Sequence, residues 1–360
     1  MDEILRLRER IDAIDQELVF LIKNRYENAR LVGRIKGVRG LPVRDVEREK
    51  TVLRRMNRLS KQLHLDSGMM DQVFRTIFNL SVTGQSSLGR TPSQKLAGLS
   101  ILIIGGTGRM GRFLAGFLSL QGAHVTITGR SIDRTRKTAR EIEVDAGTLL
   151  DSVKSDIIIV SVPIEETERV ARETAPLMNE GSLLLDVSSV KTRIANRIAA
   201  SIPKSIEYVS IHPLFAPDDQ MHGQNIVAIP YRTGPKWEKL QRSLKDSGAN
   251  IYTMTSAQHD RRMASVQGLH HFALIALGIA LRDKGGEPRT RSLIDTEARI
   301  SRILQNWETV RSIQKENPFV ANLRRDFLRI SNSLVEMTDR DVYQSKATLD
   351  SNVQKWSRKQ

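Results

Sequence analysis

The stretch that decides the fold is LSILIIGGTGRMGRFLAGFLSLQGAHVTITGRS, residues 99–131. An apolar run breaks into a glycine-rich turn, which leads into a helix-length apolar pattern and then into a second β-rich run. This order predicts a strand, a turn, a helix and a strand. In such a unit Gly106 permits the tight turn, Gly108 lets the backbone approach a pyrophosphate, and Gly111 lets the helix pack on the strand. Because the helix N-terminus presents unpaired N–H groups to phosphates, the stretch predicts a dinucleotide site.

The end of the second strand indicates which dinucleotide binds. An NAD site usually places Asp or Glu there, where the carboxylate accepts a hydrogen bond from the ribose 2′-hydroxyl. This chain has Gly129, Arg130 and Ser131 instead. A guanidinium and a hydroxyl suit a 2′-phosphate, so the sequence favours NADP over NAD. The alternative is that Arg130 is only a solvated surface charge.

Composition limits the class of protein. With 360 residues, of which 39% are hydrophobic, the chain is long enough for several domains. We expect no membrane-spanning run and no N-terminal leader, and hence a cytoplasmic protein without a membrane partner. The absence of cysteine excludes disulfides and thiolate nucleophiles, and because the seven histidines are scattered along the sequence we expect no metal site.

The net charge of +15 is compatible with nucleic acid or with small acidic substrates. Aromatic residues make up only 5% of the chain, and its basic residues are interspersed with acidic ones rather than collected in blocks. We therefore expect small acidic substrates and no nucleic acid.

Residues 1–85 are expected to be helical throughout. Apolar residues recur at helical spacing from Ile4 to Ile35, and further helices are expected from about Asp45 to Leu59 and from about Ser67 to Gly84. A first helix of about 30 residues is about 45 Å long, which is too long for a small monomeric core. Pairing with a second copy of the chain is the natural remedy, and we expect a homodimer.

Three further segments follow. Residues 86–98 are rich in Ser, Gly and Pro and are expected to form a linker. Residues 99–254 alternate strands and helices, as in a Rossmann-type parallel sheet whose ligands collect at the carboxyl ends of the strands. Residues 255–360 are expected to be helical, with apolar residues from Met263 to Leu277 sharing one face and with later helices from about Ser292 to Ile313 and from Phe319 to Met337. The residues expected at the cofactor site are Gly106, Gly108, Arg109, Met110, Gly111, Arg130, Ser131, Ser161 and Pro163.

Polar groups on the N-terminal helices carry a first resemblance. The motifs are LRERIDAID at 7–15, the Asn24-Arg25 pair, Gly33-x-x-Lys36, and PVRDxxRE at 42–49. Taken singly, such charges are usually solvated. Taken together, their spacing resembles the all-helical class of chorismate mutase.

The reaction that this resemblance implies is the rearrangement of chorismate to prephenate, a pericyclic step that needs neither nucleophile nor base. Catalysis then depends on holding the reactive conformer and stabilising charge on the breaking ether oxygen. The resemblance implies that Arg25, Arg48 and a partner chain's Arg8 bind the two carboxylates, with help from Ser81. It also implies that Lys36 and Gln85 donate to the ether oxygen. Asp45 and Glu49 are then expected to meet the ring hydroxyl.

A second resemblance covers residues 99 to at least 320. Its motifs, in order, are SVPI at 161–164, DVSSVK at 186–191, HPLFAPD at 212–218 and HDxxMAxxQxLxHF at 259–272. They resemble prephenate dehydrogenase, and the whole chain resembles the bifunctional chorismate mutase–prephenate dehydrogenases. Two positions depart slightly from these motifs: Ala216 stands where glycine is usual, and Ser188 stands where a small residue, often Gly or Ala, is usual. The resemblance implies oxidative decarboxylation of prephenate to 4-hydroxyphenylpyruvate.

Removing hydride from the ring carbon that bears the hydroxyl requires an acceptor for the hydroxyl proton. A neutral histidine at the carboxyl end of a strand can accept it near pH 7, and His212 is the candidate. Ser189 is expected to bind the same hydroxyl or to orient His212. The alternative is that His212 is a structural histidine before Pro213.

In the C-terminal helices, His271 is either a core histidine or a substrate contact. A dicarboxylate substrate needs a cation, and by resemblance Arg299 is the best match, with Arg291 and Arg302 as alternatives. Two other functions remain open at this point. One is oxidation of arogenate, the aminated analogue of prephenate; the other is a redox-sensing module that binds nucleic acid.

Overall fold

The computed structural model describes residues 2–38, 45–88, 94–217, 221, 223–281, 288–335 and 338–357. The helices within these ranges are α1 (Asp2–Val38), α2 (Val46–Gln62), α3 (Ser67–Leu88), α4 (Arg109–Leu120), α5 (Ile132–Glu141), α6 (Ile164–Thr174), α7 (Ile194–Ser201), α8 (Pro235–Asp246), α9 (Ser256–Met263), α10 (His270–Ala280), α11 (Arg291–Gln305), α12 (Trp307–Glu316), α13 (Val320–Ser333) and α14 (Asp339–Ser357). The strands are β1 (Ser100–Ile104), β2 (His124–Thr128), β3 (Asp145–Ala146), β4 (Ile157–Val160), β5 (Leu183–Asp186), β6 (Glu207–Pro213), β7 (Asn225–Arg232) and β8 (Asn250–Thr253). The expected fold class, a helical region followed by a Rossmann-type domain and then by further helices, is confirmed.

The N-terminal helices pack through α3, which contacts both α1 and α2. Phe78 of α3 is buried and meets Phe74 edge to face, with ring centres 6.2 Å apart. Helix α1 has 37 residues and is therefore about 55 Å long. Much of its apolar surface is left uncovered by the part of the chain that the structure describes, as Ile11 and Ile14 are both more than half exposed.

The expected linker at 86–98 is wrong at both ends. Helix α3 continues to Leu88, beyond the end predicted at Gly84. Leu96 is fully buried, and Lys95 forms a 3.0 Å ion pair with Asp246 of α8. Residues 94–98 therefore belong to the dinucleotide-binding domain, because a buried leucine anchors them to it. Residues 89–93 lie outside the described part of the chain.

The eight described strands form one sheet in the order β3-β2-β1-β4-β5-β6-β7-β8. The expectation of a parallel sheet holds from β3 to β6, but β7 runs antiparallel to β6, and β8 runs parallel to β7. The sequence analysis did not predict the short strands β3 and β8. Their residues are mostly exposed, so they lack the buried apolar signal on which that prediction depends.

Helices cover both faces of the sheet. Alternate residues of β1 point to opposite faces, so Ile101 and Ile103 join the core beneath α4 and α8, whereas Leu102 and Ile104 join the core beneath α6 and α7. This two-sided burial explains the unbroken apolar run in the sequence.

The C-terminal helices depart from regular periodicity. A π-helical segment, Ala264–Leu269, lies between α9 and α10 and shifts the helical phase. The single face expected from Met263 to Leu277 is therefore wrong: Met263 is buried, whereas Val266 is 57% and Leu277 is 43% exposed. The helix expected from Ser292 to Ile313 is also interrupted, at Asn306 between α11 and α12.

One described helical run, Ser256–Ala280, is long and apolar enough to span a membrane by length and composition alone. This corrects the expectation that the chain has no such run. Core helices of soluble proteins meet the same criterion, and the run also holds the buried charged residue Asp260.

Candidate active sites

The glycine turn after β1 is tight because the backbone of two strands meets there. Gly105 has a φ of +86°, and a Cβ at this position would lie 2.3 Å from the carbonyl oxygen of Ser161. The conformational freedom assigned to Gly106 therefore belongs to Gly105. Gly106 is needed for another reason, since a Cβ there would lie 2.4 Å from the Cβ of Ile127 on β2.

The start of α4 fits a bound pyrophosphate. Gly108 is the N-cap residue of α4 and has no side chain to pair with the N–H groups of the first turn, which contains no acidic residue. Gly111 packs against the turn, where a Cβ would lie 2.4 Å from the carbonyl oxygen of Gly105. Unpaired N–H groups at a helix N-terminus attract phosphate, so the chain's own geometry suits a dinucleotide.

At the end of β2, Arg130 is exposed and Ser131 caps helix α5. The Ser131 hydroxyl accepts a 3.3 Å hydrogen bond from the backbone N–H of Arg134. Capping accounts structurally for Ser131, but it leaves the hydroxyl hydrogen able to donate to another acceptor. Gly129 lies close to Thr107, so the end of β2 borders the glycine turn.

The register of the parallel strands aligns their carboxyl ends. Ile104 of β1 pairs with Val160 of β4, which pairs with Asp186 of β5, which in turn pairs with Ser210 of β6. The glycine turn, Ser161 and the loop that carries Ser189 therefore follow one another along a single edge. His212 lies at the same edge, three strands and about 14 Å from the glycine turn.

His212 is inside β6 rather than beyond its end, which corrects the predicted position, and it is only 4% exposed. Its Nδ1 lies 2.9 Å from Nε2 of His259, whose Nδ1 lies 2.8 Å from Oδ1 of Asp260. Burial, then the neighbouring His259 and Lys191, hold the pKa of His212 well below its ordinary 6.5. His212 is therefore neutral at pH 7, as a proton acceptor has to be.

A buried ion pair supports this edge from beneath. Lys191 and Asp186 are both fully buried, with Nζ 3.2 Å from Oδ1. Nζ also donates to Ser210 Oγ at 2.6 Å and to the carbonyl oxygen of Ile211 at 2.7 Å. Since Ile211 precedes His212, this network fixes the backbone of β6 beside the histidine.

The sequence prediction gave no role to His259, Asp260, Lys191 or Asp186. All four stand in the quoted motifs, and buried charged residues are rare outside functional or paired sites. Burial of these charged side chains would have marked them as functional candidates, but the sequence alone does not show which residues are buried.

The C-terminal helices enclose a cleft of about 640 Å³. It is lined by His271, Arg299 and Arg302, whereas Arg291 pairs with Asp295 at 3.6 Å. The buried Nδ1 of His271 has no hydrogen-bond partner among the described residues, nor has the buried Oε1 of Gln267, another residue of the lining. Two cations and two unpaired polar atoms make this cleft suitable for an acidic, polar ligand.

A side-chain contact joins the cleft to the residue that begins α4, next to the glycine turn. Nη1 of Arg109 donates to Oδ1 of Asn306 at 3.3 Å, and Asn306 lines the cleft at the break between α11 and α12. The cleft therefore borders the expected cofactor site, since Arg109 begins the helix whose N-terminus would face the phosphates of a bound dinucleotide.

A separate polar cluster lies among the N-terminal helices. Arg25 of α1 is half-buried and donates to Ser81 Oγ and to the carbonyl oxygen of Ile77 on α3. Its guanidinium carbon lies 5.2 Å from the centre of the Phe78 ring. Burial lowers the pKa of Arg25, while the carboxylate of Glu49 on α2 acts to raise it.

The other predicted residues of this cluster are placed as follows. Lys36 and Glu49 are half-buried, and Arg8 and Arg48 are exposed. The Asp45 carboxylate caps α2 by accepting from the backbone N–H of Arg48 at 2.9 Å. The side chain of Gln85 lies outside the described part of the structure.

The glycine turn and the sheet order define a dinucleotide-binding protein of the Rossmann type, fused here to an all-helical domain. Residues 7–86 match the family model of type II chorismate mutase, and residues 114–253 match that of the prephenate dehydrogenase nucleotide-binding domain.

The T-protein of Enterobacter agglomerans is 30% identical over 78% of this chain and 72% of its own length. A probable arogenate/prephenate dehydrogenase of Methanocaldococcus jannaschii is 31% identical over 68% of this chain, and the match spans 57% of that protein. The prephenate dehydrogenase structure of Aquifex aeolicus, in complex with hydroxyphenyl propionate and NAD+, aligns over 72% of this chain and 99% of its own, with a TM-score of 0.53 at 18% identity. The chain belongs to the T-protein family, the bifunctional chorismate mutase–prephenate dehydrogenases of tyrosine biosynthesis.

Proposed function

We propose that the dehydrogenase domain oxidises prephenate with NADP in preference to NAD and uses His212 as the proton acceptor. The buried, neutral His212 at the same sheet edge as the glycine turn is the observation that carries this proposal. The experiment is to supply chorismate with NADP or NAD and to quantify prephenate and 4-hydroxyphenylpyruvate. Faster formation of 4-hydroxyphenylpyruvate with NADP supports the proposal; accumulation of prephenate with both cofactors contradicts it.

The proposed chemistry needs one proton acceptor and one well-placed hydride acceptor. When bound, the nicotinamide supplies the latter. His212 takes the proton of the ring hydroxyl as the C–H bond breaks, and Ser189, in the loop after β5, donates to the same oxygen or orients the imidazole. Loss of CO2 then leaves its electron pair in the ring and restores aromaticity, and the ring oxygen takes the proton back from His212 to give the phenol. Arg299 and His271 of the cleft would hold the carboxylates of the substrate.

The activity should persist on the acid side of neutrality. His212 accepts a proton only when neutral, and its pKa lies well below 6.5 because it is buried beside His259 and Lys191. We expect the kcat of the dehydrogenase to stay flat as the pH falls from about 8 to about 6.5, and to decline only at lower pH. A pH profile with saturating prephenate measures this. A decline that begins above pH 6.5 would contradict the role of His212.

The preference for NADP rests on Arg130. The Arg130→Asp variant should lose the 2′-phosphate contact and gain a group that binds the 2′-hydroxyl. Charge-assisted hydrogen bonds contribute about 1.5–3 kcal/mol each, so the ratio of kcat/KM for NADP to that for NAD should fall by about 10²-fold. Arg136→Asp on α5 is the matched control for net charge. A wild-type enzyme that favours NAD would refute this part of the proposal.

For the mutase, we propose that Arg25, Arg48 and the partner's Arg8 bind the carboxylates of chorismate with Ser81, and that Lys36 and Gln85 donate to the ether oxygen. Asp45 and Glu49 would meet the ring hydroxyl. The proximity of Arg25, Ser81 and Glu49 supports this arrangement. The Asp45 carboxylate also caps α2, so only its second oxygen would be open to the substrate hydroxyl.

Arogenate is a second candidate substrate, because Asp295 also lines the cleft. A carboxylate there could pair with the amine of arogenate, although Arg291 competes for it. Comparing kcat/KM for the two substrates in wild type and in Asp295→Asn separates the candidates. A loss confined to arogenate would assign Asp295 to the amine.

We also propose a cytoplasmic homodimer that binds neither nucleic acid nor membrane, with α1 helices paired through their exposed apolar residues. Ile14→Glu should then lower the kcat/KM of the mutase by at least tenfold, since the partner's Arg8 is withdrawn, and leave the dehydrogenase unchanged. Leu150→Glu, which alters a leucine that is 72% exposed in the other domain, is the control. Sedimentation of the wild type at the 40.6 kDa mass of one chain would contradict the dimer.

A further inference from the structure

His259 and Asp260 form a buried chain of hydrogen bonds that ends on His212. Asp260 Oδ1 accepts from the backbone N–H of Lys191 at 2.9 Å, and Oδ2 accepts from that of Thr192 at 2.7 Å. The same Oδ1 meets Nδ1 of His259, and Nε2 of His259 meets Nδ1 of His212. His259 and Asp260 are both fully buried. Neither His259 nor Asp260 needs to contact the substrate for these hydrogen bonds to form.

The hydrogen atoms along the chain can be placed by elimination. Burial acts to raise the pKa of Asp260, but hydrogen bonds from His259 and from the backbone of Thr192 and Lys191 lower it below its ordinary value. Asp260 is therefore ionised and can only accept hydrogen bonds. Nδ1 of His259 must then carry the hydrogen, which leaves Nε2 as an acceptor, because a neutral imidazole has one N–H.

The position of the hydrogen on His212 follows from that on His259. Its Nδ1 faces an acceptor and must donate, so its only N–H is at Nδ1. Nε2 is left with a lone pair, and this is the nitrogen that a proton acceptor needs. With the reverse tautomer at either ring, two N–H groups or two lone pairs would face each other at 2.9 Å.

We infer that Asp260 and His259 are positioning residues, which hold His212 in the tautomer whose Nε2 is unprotonated and which stabilise the imidazolium formed when the proton arrives. This inference rests on the proposed role of His212. The substrate proton moves to Nε2 while the Nδ1 hydrogen stays in its bond to His259, so no further group changes its protonation.

The charges around His212 explain why such a chain is needed. The ammonium of Lys191 opposes a second positive charge at this edge, and His259 would oppose it in the same way if it were protonated itself. The counter-charges are Asp260, through His259, and Asp186, which is already bound to Lys191 and Tyr208. Asp260 is thus the carboxylate that stabilises, through His259, the positive charge developing on His212.

The test begins with the full-length protein, without substrate. Nitrogen NMR of protein labelled at histidine reports which ring nitrogen carries hydrogen, and the His212→Asn variant identifies the His212 signals among the seven histidines. We expect His212 to be protonated at Nδ1 and not at Nε2. The opposite tautomer would overturn the inference, whatever the activity of the enzyme.

Variants at His259 then separate positioning from packing. His259→Gln keeps a carbonyl oxygen that can accept from His212, whereas His259→Phe keeps the bulk but has no acceptor. We expect kcat to fall about tenfold or less in the first and about 10²-fold or more in the second, with KM for prephenate and NADP unchanged. Binding of NADP to each variant, measured by calorimetry, checks that the domain is folded.

If His259→Phe does not fold, Asp260→Asn tests the same role, because the amide removes the charge that orients His259. The tautomer of His212 in this variant can then be measured by the same NMR experiment. Wild-type kcat in folded His259→Phe or Asp260→Asn would overturn the inference. Full activity in His212→Asn would instead refute the proposed function, so the two failures can be told apart.

Discussion

Replacing His212 with asparagine is expected to lower the kcat of the dehydrogenase by about 10³-fold. Asparagine has a similar reach and can donate its amide hydrogen to Nε2 of His259, so the buried hydrogen bond survives the change. What is lost is the titratable nitrogen, and with it the acceptor for the hydroxyl proton. Because binding of prephenate is assigned to the cleft between the C-terminal helices, KM should change little.

Production of NADPH from prephenate measures this effect, and chorismate turnover by the same preparation shows that the mutase is intact. His124→Asn is a matched control, since this histidine is exposed at the start of β2. A decrease of less than tenfold in His212→Asn would mean that His212 is a structural residue before Pro213, and that another group accepts the proton.

The parts of this molecule that the sequence predicts well are those whose cause is local. The turn from Gly105 to Gly111 follows from steric demands within a few residues, and the buried strands β1, β4 and β5 follow from continuous apolar runs. Even there, the positive φ falls on Gly105 and not on Gly106, and the lack of room for a side chain comes from distant segments: Ser161, just after β4, for Gly105, and Ile127 of β2 for Gly106.

The parts that the sequence does not predict depend on contacts between distant segments. The alternation of apolar and polar residues along a strand does not indicate which strand it pairs with or in which direction, so it could not predict that β7 pairs antiparallel with β6. The π-helical segment before His270 breaks the 3.6-residue period on which the predicted apolar face depended. His259 escaped notice because its partner, His212, lies 47 residues earlier and the two meet only when α9 packs against β6.

The largest effect expected in the mutase is that of Arg25→Lys. The guanidinium sits where α1 and α3 meet, between Ser81, Ile77 and the ring of Phe78, and it offers five donors in a planar fork. Lysine keeps the charge and a long chain but cannot bind a carboxylate with two parallel hydrogen bonds. Since the rearrangement has no chemical step beyond stabilising one conformer and its developing charge, the kcat/KM of the mutase should fall by about 10²–10³-fold.

Formation of prephenate from chorismate measures this loss, and oxidation of added prephenate should be unchanged because it takes place in the other domain. Arg55→Lys on the exposed side of α2 controls for the substitution itself. Arg25 also donates to α3, so a change in packing could by itself lower activity, and the thermal midpoint of the helical domain has to be followed alongside. Loss of activity with an unchanged midpoint assigns the fork to substrate. Full activity would mean that Arg25 only joins α1 to α3, and that the carboxylates of chorismate are bound by other cations of the cluster.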